Sequence, residues 1–146
     1  MSDPTKGGQG LHDKYVAWVA RLFADSGWAV FRDPVAVTPS GTHVRADLRA
    51  DDPLGRQFFF EFKMGNAQDY LPMSAYAQGA QLTRSGIPAI LVTNMKVPEH
   101  LADLFREFQI SVIKAPATFD QNAFLDSLRA APQINPQLLV GGKQRF

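Results

Sequence analysis

Asp47, Glu61 and Lys63 are the residues of this chain whose types and spacing suit one particular chemistry. Two carboxylates held side by side repel unless a proton or a cation lies between them. Mg²⁺ suits such a place, because it is held by one or two carboxylates and leaves its other positions to water and to substrate phosphate. Lys63 follows Glu61 by two residues, so on a strand it shares the same face. An ammonium there can stabilise charge on a pentacovalent phosphate or orient the attacking water, while a cation polarises the phosphoryl oxygen and lowers the pKa of its water. An acid-x-base triplet on a strand is also the ordinary pattern of a solvated, ion-paired face. Its meaning therefore depends on where Asp47 falls relative to Glu61.

The turn between them answers that. Asp52-Pro53-Leu54-Gly55-Arg56 reads as a three-residue hairpin loop, a type I turn followed by a left-handed residue. Proline suits the first turn position and glycine the left-handed one. If Asp52 and Arg56 close the loop, Asp47 lies directly opposite Glu61, and Arg45 opposite Lys63. Directly opposed Cβ atoms in such a pair are roughly 4.5–5.5 Å apart. Read as two continuous strands, HVRADLRA and RQFFFEFK put Val44, Ala46, Leu48, Phe58, Phe60 and Phe62 on one face. The other face carries His43, Arg45, Asp47, Arg49, Gln57, Glu61 and Lys63, with Phe59 as its apolar member. Glu61 and Lys63 close an almost wholly apolar run, FFFEFK, which sets them near a core.

The flanking elements alternate. Leu11, Tyr15, Trp18, Val19, Leu22 and Phe23 recur at helical spacing, with Gly27 placed to cap the end. WAVFRD and VAVT read as extended segments broken by Pro34. A helix is predicted from about Pro72 to Ser85, stopped by Gly86. PAILVTN is a continuous apolar run, as in a strand buried on both faces. Pro98 opens a helix carrying Leu101, Leu104, Phe105 and Phe108, SVIKA is a last strand, and Thr118 with Gln121 resembles a capping box for a final helix. The order α–β–β–β–α–β–α–β–α predicts an α/β fold, with a mixed central sheet and helices on both faces.

Composition sets the outer bounds. The chain has 146 residues, 45% apolar and 20% charged, which fits one domain with one core. Residues 1–9 read as a loose arm, 10–131 as the domain, and 132–146 as a tail whose Leu138, Leu139 and Val140 could dock. No apolar run is long enough for a bilayer, and the polar N-terminus resembles neither signal nor anchor. The absence of Cys excludes disulfides, thiolate catalysis and zinc–thiolate sites; a cytoplasmic location is the plain expectation. A net charge of +1 argues against gripping a long duplex, unless basic residues are concentrated locally or a second subunit helps.

Asp47, then Glu61-Phe62-Lys63, within this order of elements, resembles the PD-(D/E)xK nuclease superfamily, the restriction-endonuclease-like fold with an αβββαβ core. The resemblance covers about residues 10–115, although Ala46 stands where many members have proline. It implies a metal-dependent endonuclease hydrolysing phosphodiester bonds in DNA with Mg²⁺ or Mn²⁺ and leaving 5′-phosphate ends. Asp47, Glu61 and the main-chain carbonyl of Phe62 would hold the metal, and Lys63 would assist catalysis. Many members add a first-helix Glu, where this chain offers His12 and Asp13. The helix after the motif offers Gln78 and Gln81, with Tyr76 nearby, as contacts to the phosphate backbone; His43, Arg45, Lys143 and Arg145 are further candidates. With little beyond the core, branched DNA, a restriction or phage-defence role, guidance by a partner protein, or a homodimer with two sites would fit. An RNA endonuclease and a non-catalytic nucleic-acid-binding or assembly module retaining the fold are the competing readings.

Overall fold

A computed structural model describes residues 9–139. The proposed arm up to residue 8, together with Val140, Lys143 and Arg145, lies outside the described residues. The elements in chain order are α1 (Gln9–Asp25), β1 (Ala29–Arg32), β2 (Val35–Val37), β3 (His43–Arg45), β4 (Leu48–Asp51), β5 (Gln57–Lys63), α2 (Met73–Thr83), β6 (Ala89–Thr93), α3 (Glu99–Glu107), β7 (Ser111–Lys114) and α4 (Gln121–Ser127). A short 3₁₀ turn, Leu128–Ala130, follows.

Five strands form the main sheet in the order β1-β4-β5-β6-β7. The first two pairings are antiparallel and the last two parallel. A tight turn joins the antiparallel pair β4–β5 and the β2–β3 ribbon joins β1 to β4, whereas α2 and α3 supply the crossovers that parallel pairing requires. The αβββαβ order expected of a restriction-endonuclease-like core is present as α1, β1, β4, β5, α2 and β6. Between β1 and β4 the chain makes a separate two-stranded ribbon from β2 and β3.

Both faces of the sheet are covered. One side of β5 presents Phe58, Phe60 and Phe62 to α1, through Tyr15, Val16, Val19 and Phe23, and to Phe124 of α4. Burying a side chain of that size contributes roughly 1.5–3 kcal/mol, so this row of phenylalanines anchors the central strand. On the other face Leu91 packs with Ala75 of α2 and with Leu101 and Phe105 of α3. Phe59 packs there with Leu82 and Ala89. The face read as polar is therefore covered too, and β5 is buried on both sides. Ile134 and Leu139 join the first core, and the Trp28 indole donates to the Leu138 carbonyl at 3.1 Å, so Leu138 and Leu139, of the three residues expected to dock, do so.

The hairpin register is the predicted one: Leu48 pairs with Phe60 and Asp51 with Gln57. Asp52 organises the loop. Its carboxylate accepts from the amides of Leu54 and Arg56, both at 2.9 Å, and from the Arg56 guanidinium at 2.8 Å. Gly55 adopts φ +88°, the left-handed position for which glycine was expected. Burial acts to raise the Asp52 carboxyl, but the Arg56 amide and guanidinium and the Leu54 amide outweigh it and hold it below the ordinary range.

Two sequence expectations are corrected. The final helix is capped by Asp120, which accepts from the Ala123 amide at 3.2 Å, instead of by Thr118. More consequentially, HVRADLRA is two strands in two sheets. Pro34, and Asp33 with φ +53°, turn the chain after β1, and the partner strand breaks opposite them at Ala46 and Asp47. Two bonds stitch the corner, from the Asp33 amide to the Asp47 carbonyl at 3.1 Å and from the Ala46 amide to the Pro34 carbonyl at 3.0 Å. The ribbon folds toward α2, so Val44 and Ala46 pack with Phe59 and Leu82, on the face opposite Leu48. Arg45 pairs with Val35, and His43 with Val37, so Arg45 does not face Lys63.

Candidate active site

The bend makes the site. β5 runs on past Phe60 after its neighbour β4 has turned away, leaving a fork between the strands. The two acids close it. Phe62, whose amide points to the side that β4 has left, donates to Asp47 Oδ2 at 2.8 Å. The Asp47 amide in turn donates to Glu61 Oε1 at 3.2 Å. Side chains thus replace the strand ladder at the point where it stops, and the two acids predicted to be opposite one another are joined there, main-chain amide to carboxylate.

α1 brings a third group. His12 Nε2 lies 3.1 Å from Asp47 Oδ2, and His12 Nδ1 lies 3.0 Å from Asp13 Oδ1. His12 precedes the buried Tyr15 and Val16 by three and four residues, which places it on the helix stripe that faces the sheet. Its ring also meets Phe62 edge-on, with centroids 6.5 Å apart. The Asp47 hydrogen bond is the main force raising the imidazole to about 9; burial opposes it, and Asp13 adds to it. The imidazole is therefore a cation at neutral pH.

Glu61 is 7% exposed. Burial, then the charge of Asp47, pushes its carboxyl up to about 8, while the Asp47 amide, Lys63 and His12 pull it down. A carboxyl this far above its ordinary range beside a second acid marks a place where added positive charge is stabilising.

His12 and Glu61 line a cleft of about 400 Å³ together with Phe62, Lys63, Gly65 and Asp69, among others, and Asp47 joins it through its bonds to His12 and the Phe62 amide. It lies at the carboxyl ends of the parallel strands β5 and β6, the end where open α/β sheets bind ligands. Gly65, in its lining, is held by a reciprocal pair: the Gly65 amide donates to Asn94 Oδ1 at 2.9 Å, and Asn94 Nδ2 donates to the Gly65 carbonyl at 2.7 Å. Lys63 makes no ion pair or hydrogen bond among the described residues, so its ammonium is available to a ligand. A larger groove, about 640 Å³, between α3 and β7 carries no acidic or imidazole side chain.

The donor set fits a hard divalent cation in part. Among the described residues no group of three or more His, Cys, Asp or Glu side chains is arranged around one point, so there is no cage made by side chains alone. Two adjoining carboxylates are nevertheless what Mg²⁺ takes from a protein when water and phosphate fill its other positions. Asp47 Oδ1 and Glu61 Oε2 accept no hydrogen bond among the described residues and are the oxygens left for it.

Asp47 and Glu61 are joined through the Asp47 amide, and Glu61 and Lys63 line the cleft. Of the other sequence candidates, His12 and Phe62 also line the cleft, whereas those expected to contact nucleic acid do not. His43 and Arg45 are exposed on the ribbon; Gln78 touches it, Nε2 donating to the Arg45 carbonyl at 3.3 Å, and Gln81 is exposed on α2. The engagement of His12 with Asp47 and the Gly65–Asn94 pair were not read from the sequence. The available signals were an imidazole on the buried stripe of α1 and a glycine and an asparagine just past two core strands.

No protein-family model matches the chain, and no curated protein sequence matches it. Solved structures do. The protein of unknown function AF1548 superimposes with a TM-score of 0.55 at 20% identity, over 77% of this chain and 65% of that one. SfsA of Pyrococcus furiosus, in complex with Ca²⁺, gives 0.46 at 17% identity, over 73% and 57%. The MspJI restriction endonuclease in complex with a 27-mer oligonucleotide gives 0.47 at 15%, over 94% and 35%. This chain therefore spans 65% or less of each of these proteins. The likeness to AF1548 is one of fold: a mixed α/β sheet between helical layers.

Proposed function

We propose that the cleft is the active site of a metal-dependent nuclease that hydrolyses phosphodiester bonds in DNA. The observation that carries this reading is the meeting of Asp47 and Glu61 at the strand fork, with a lysine free of ion pairs among the described residues two positions along β5 in the same cleft. Asp47, Glu61 and the Phe62 carbonyl are the groups assigned to Mg²⁺ or Mn²⁺. The cation supplies Lewis-acid activation of the phosphoryl group and of water. The chain's own residues do the rest. Lys63 Nζ donates to a phosphate oxygen and stabilises charge that grows in the transition state. The Gly65–Asn94 pair fixes the segment past β5 that lines the cleft. Arg45 and Gln78, grouped beside the fork, and His43 and Gln81 near them are assigned to backbone phosphates on either side of the cut.

The test is cleavage of supercoiled plasmid, linear duplex, single strands, a four-way junction and RNA, with Mg²⁺, Mn²⁺ or EDTA, using wild type and Lys63→Ala. Metal-dependent cutting of DNA that the variant loses is the expected result. A preference for RNA would move the substrate assignment. No cutting by folded wild type under any condition would remove the nuclease reading in favour of a binding module.

A further inference from the structure

From its geometry we infer that His12, steadied by Asp13, is a positioning residue that fixes which oxygen of Asp47 faces the cation. The inference rests on the metal assignment made above and extends it to a residue in the first helix.

Asp47 Oδ2 is held from two directions, by the Phe62 amide at 2.8 Å and by His12 Nε2 at 3.1 Å. With both contacts in place that oxygen is occupied, and the carboxylate presents Oδ1. Phe62 alone does not fix the orientation, because a carboxylate held at one oxygen by one donor can rotate about that contact. The second donor arrives from another element, 35 residues away in sequence, and it removes that freedom. His12 is held in turn. Its Nδ1 lies 3.0 Å from Asp13 Oδ1, so each ring nitrogen has a carboxylate to donate to, and the pair of bonds fixes the plane of the ring. Its ring stands edge-on to Phe62. The side chain is 23% exposed, against 65% for Asp13, so the chain of groups runs from solvent inward to the metal-facing acid. Outer partners of this kind orient ligating groups, and their loss typically weakens metal affinity by about 10- to 100-fold.

The test is Mn²⁺ titration by calorimetry, without nucleic acid, on the full chain as wild type, His12→Ala, His12→Gln, Asp13→Ala and Asp47→Ala, each checked for folding by circular dichroism. The expected order is a loss of about tenfold or more in His12→Ala. His12→Gln, whose amide can donate from the Nε2 position, should stay within about threefold of wild type, with Asp13→Ala in between. Binding by His12→Ala as tight as wild type overturns the inference. So does a loss in His12→Gln as deep as that in His12→Ala, since the effect would not then follow the hydrogen bond. Asp47→Ala separates this from the underlying assignment: if it abolishes binding while His12→Ala does not, only the role of His12 falls. If Asp47→Ala binds like wild type, the metal assignment falls and this role with it.

Discussion

Replacing Glu61 by glutamine should stabilise the metal-free protein at neutral pH while abolishing its activity. The carboxyl sits at about 8 in the folded chain against an ordinary value of 4.5, so the folded state holds a proton that the unfolded chain releases. Stability attached to this group is therefore greatest at low pH, falls as the pH rises through 4.5, and levels off above 8. Linkage puts the ceiling at about 3–4 kcal/mol near neutral pH. His12 and Lys63 compensate part of this, and a glutamine must itself be desolvated, so roughly 2 kcal/mol is the expected net gain. The carbonyl of the introduced amide can still accept from the Asp47 amide, which keeps the fork closed. For a chain of this size that gain is about 4–8 °C in Tm. The assay is thermal unfolding of wild type and Glu61→Gln in EDTA at about pH 7.5 and about pH 4.5. At the lower pH the gain should shrink to under about 0.5 kcal/mol, because the folded state holds the proton and about half of the unfolded chains do too. Mn²⁺ should raise the Tm of wild type and leave that of the variant unchanged, since only a binding ligand shifts the equilibrium. A variant less stable than wild type at both pH values, or a gain independent of pH, would refute the account of Glu61 as a strained, cation-seeking acid.

Lys63→Ala should cut cleavage about 10²- to 10³-fold while changing stability by less than about 0.5 kcal/mol, as its ammonium has no ion pair to lose among the described residues; paired kinetics and melting curves check both halves. Asp52→Ala removes the acceptor for two amides and a guanidinium and should cost about 2–4 kcal/mol in urea unfolding. Because this carboxyl is held below its ordinary range, its contribution is complete above the unfolded value of 3.8 and is lost as the pH falls further; the gap between wild type and variant should close in acid. Gly55→Ala places a side chain at φ +88° and should cost about 1–2 kcal/mol with no change in metal affinity, although nothing crowds the added methyl.

Local chemistry was legible in the sequence. The DDPLG loop demanded a left-handed glycine and a first-position proline, and these set the β4–β5 register that brings Asp47 to Glu61 where the ladder ends. Helical spacing gave α1 and α3, Pro72 and Gly86 bounded α2, and the apolar run AILVT gave a strand buried on both faces. In each case the cause lies within a few residues of the effect, so the pattern can be read along the chain.

What the tertiary structure alone decided is where β4 ends and what closes the fork. Alternation in HVRADLRA reads as one strand, but Pro34 and Asp33, on the facing strand, turn both strands of the pair out of the sheet at Ala46 and Asp47. That turn puts Val44 on the opposite face from Leu48, carries Arg45 away from Lys63, and leaves the Phe62 amide to the Asp47 side chain. The burial of Glu61 depends on α2 and α3 covering a face that alternation alone marks as polar. The contact of His12 with Asp47 joins a helix to a strand end 35 residues on. Such contacts arise from how elements meet, and no periodicity within one element encodes them.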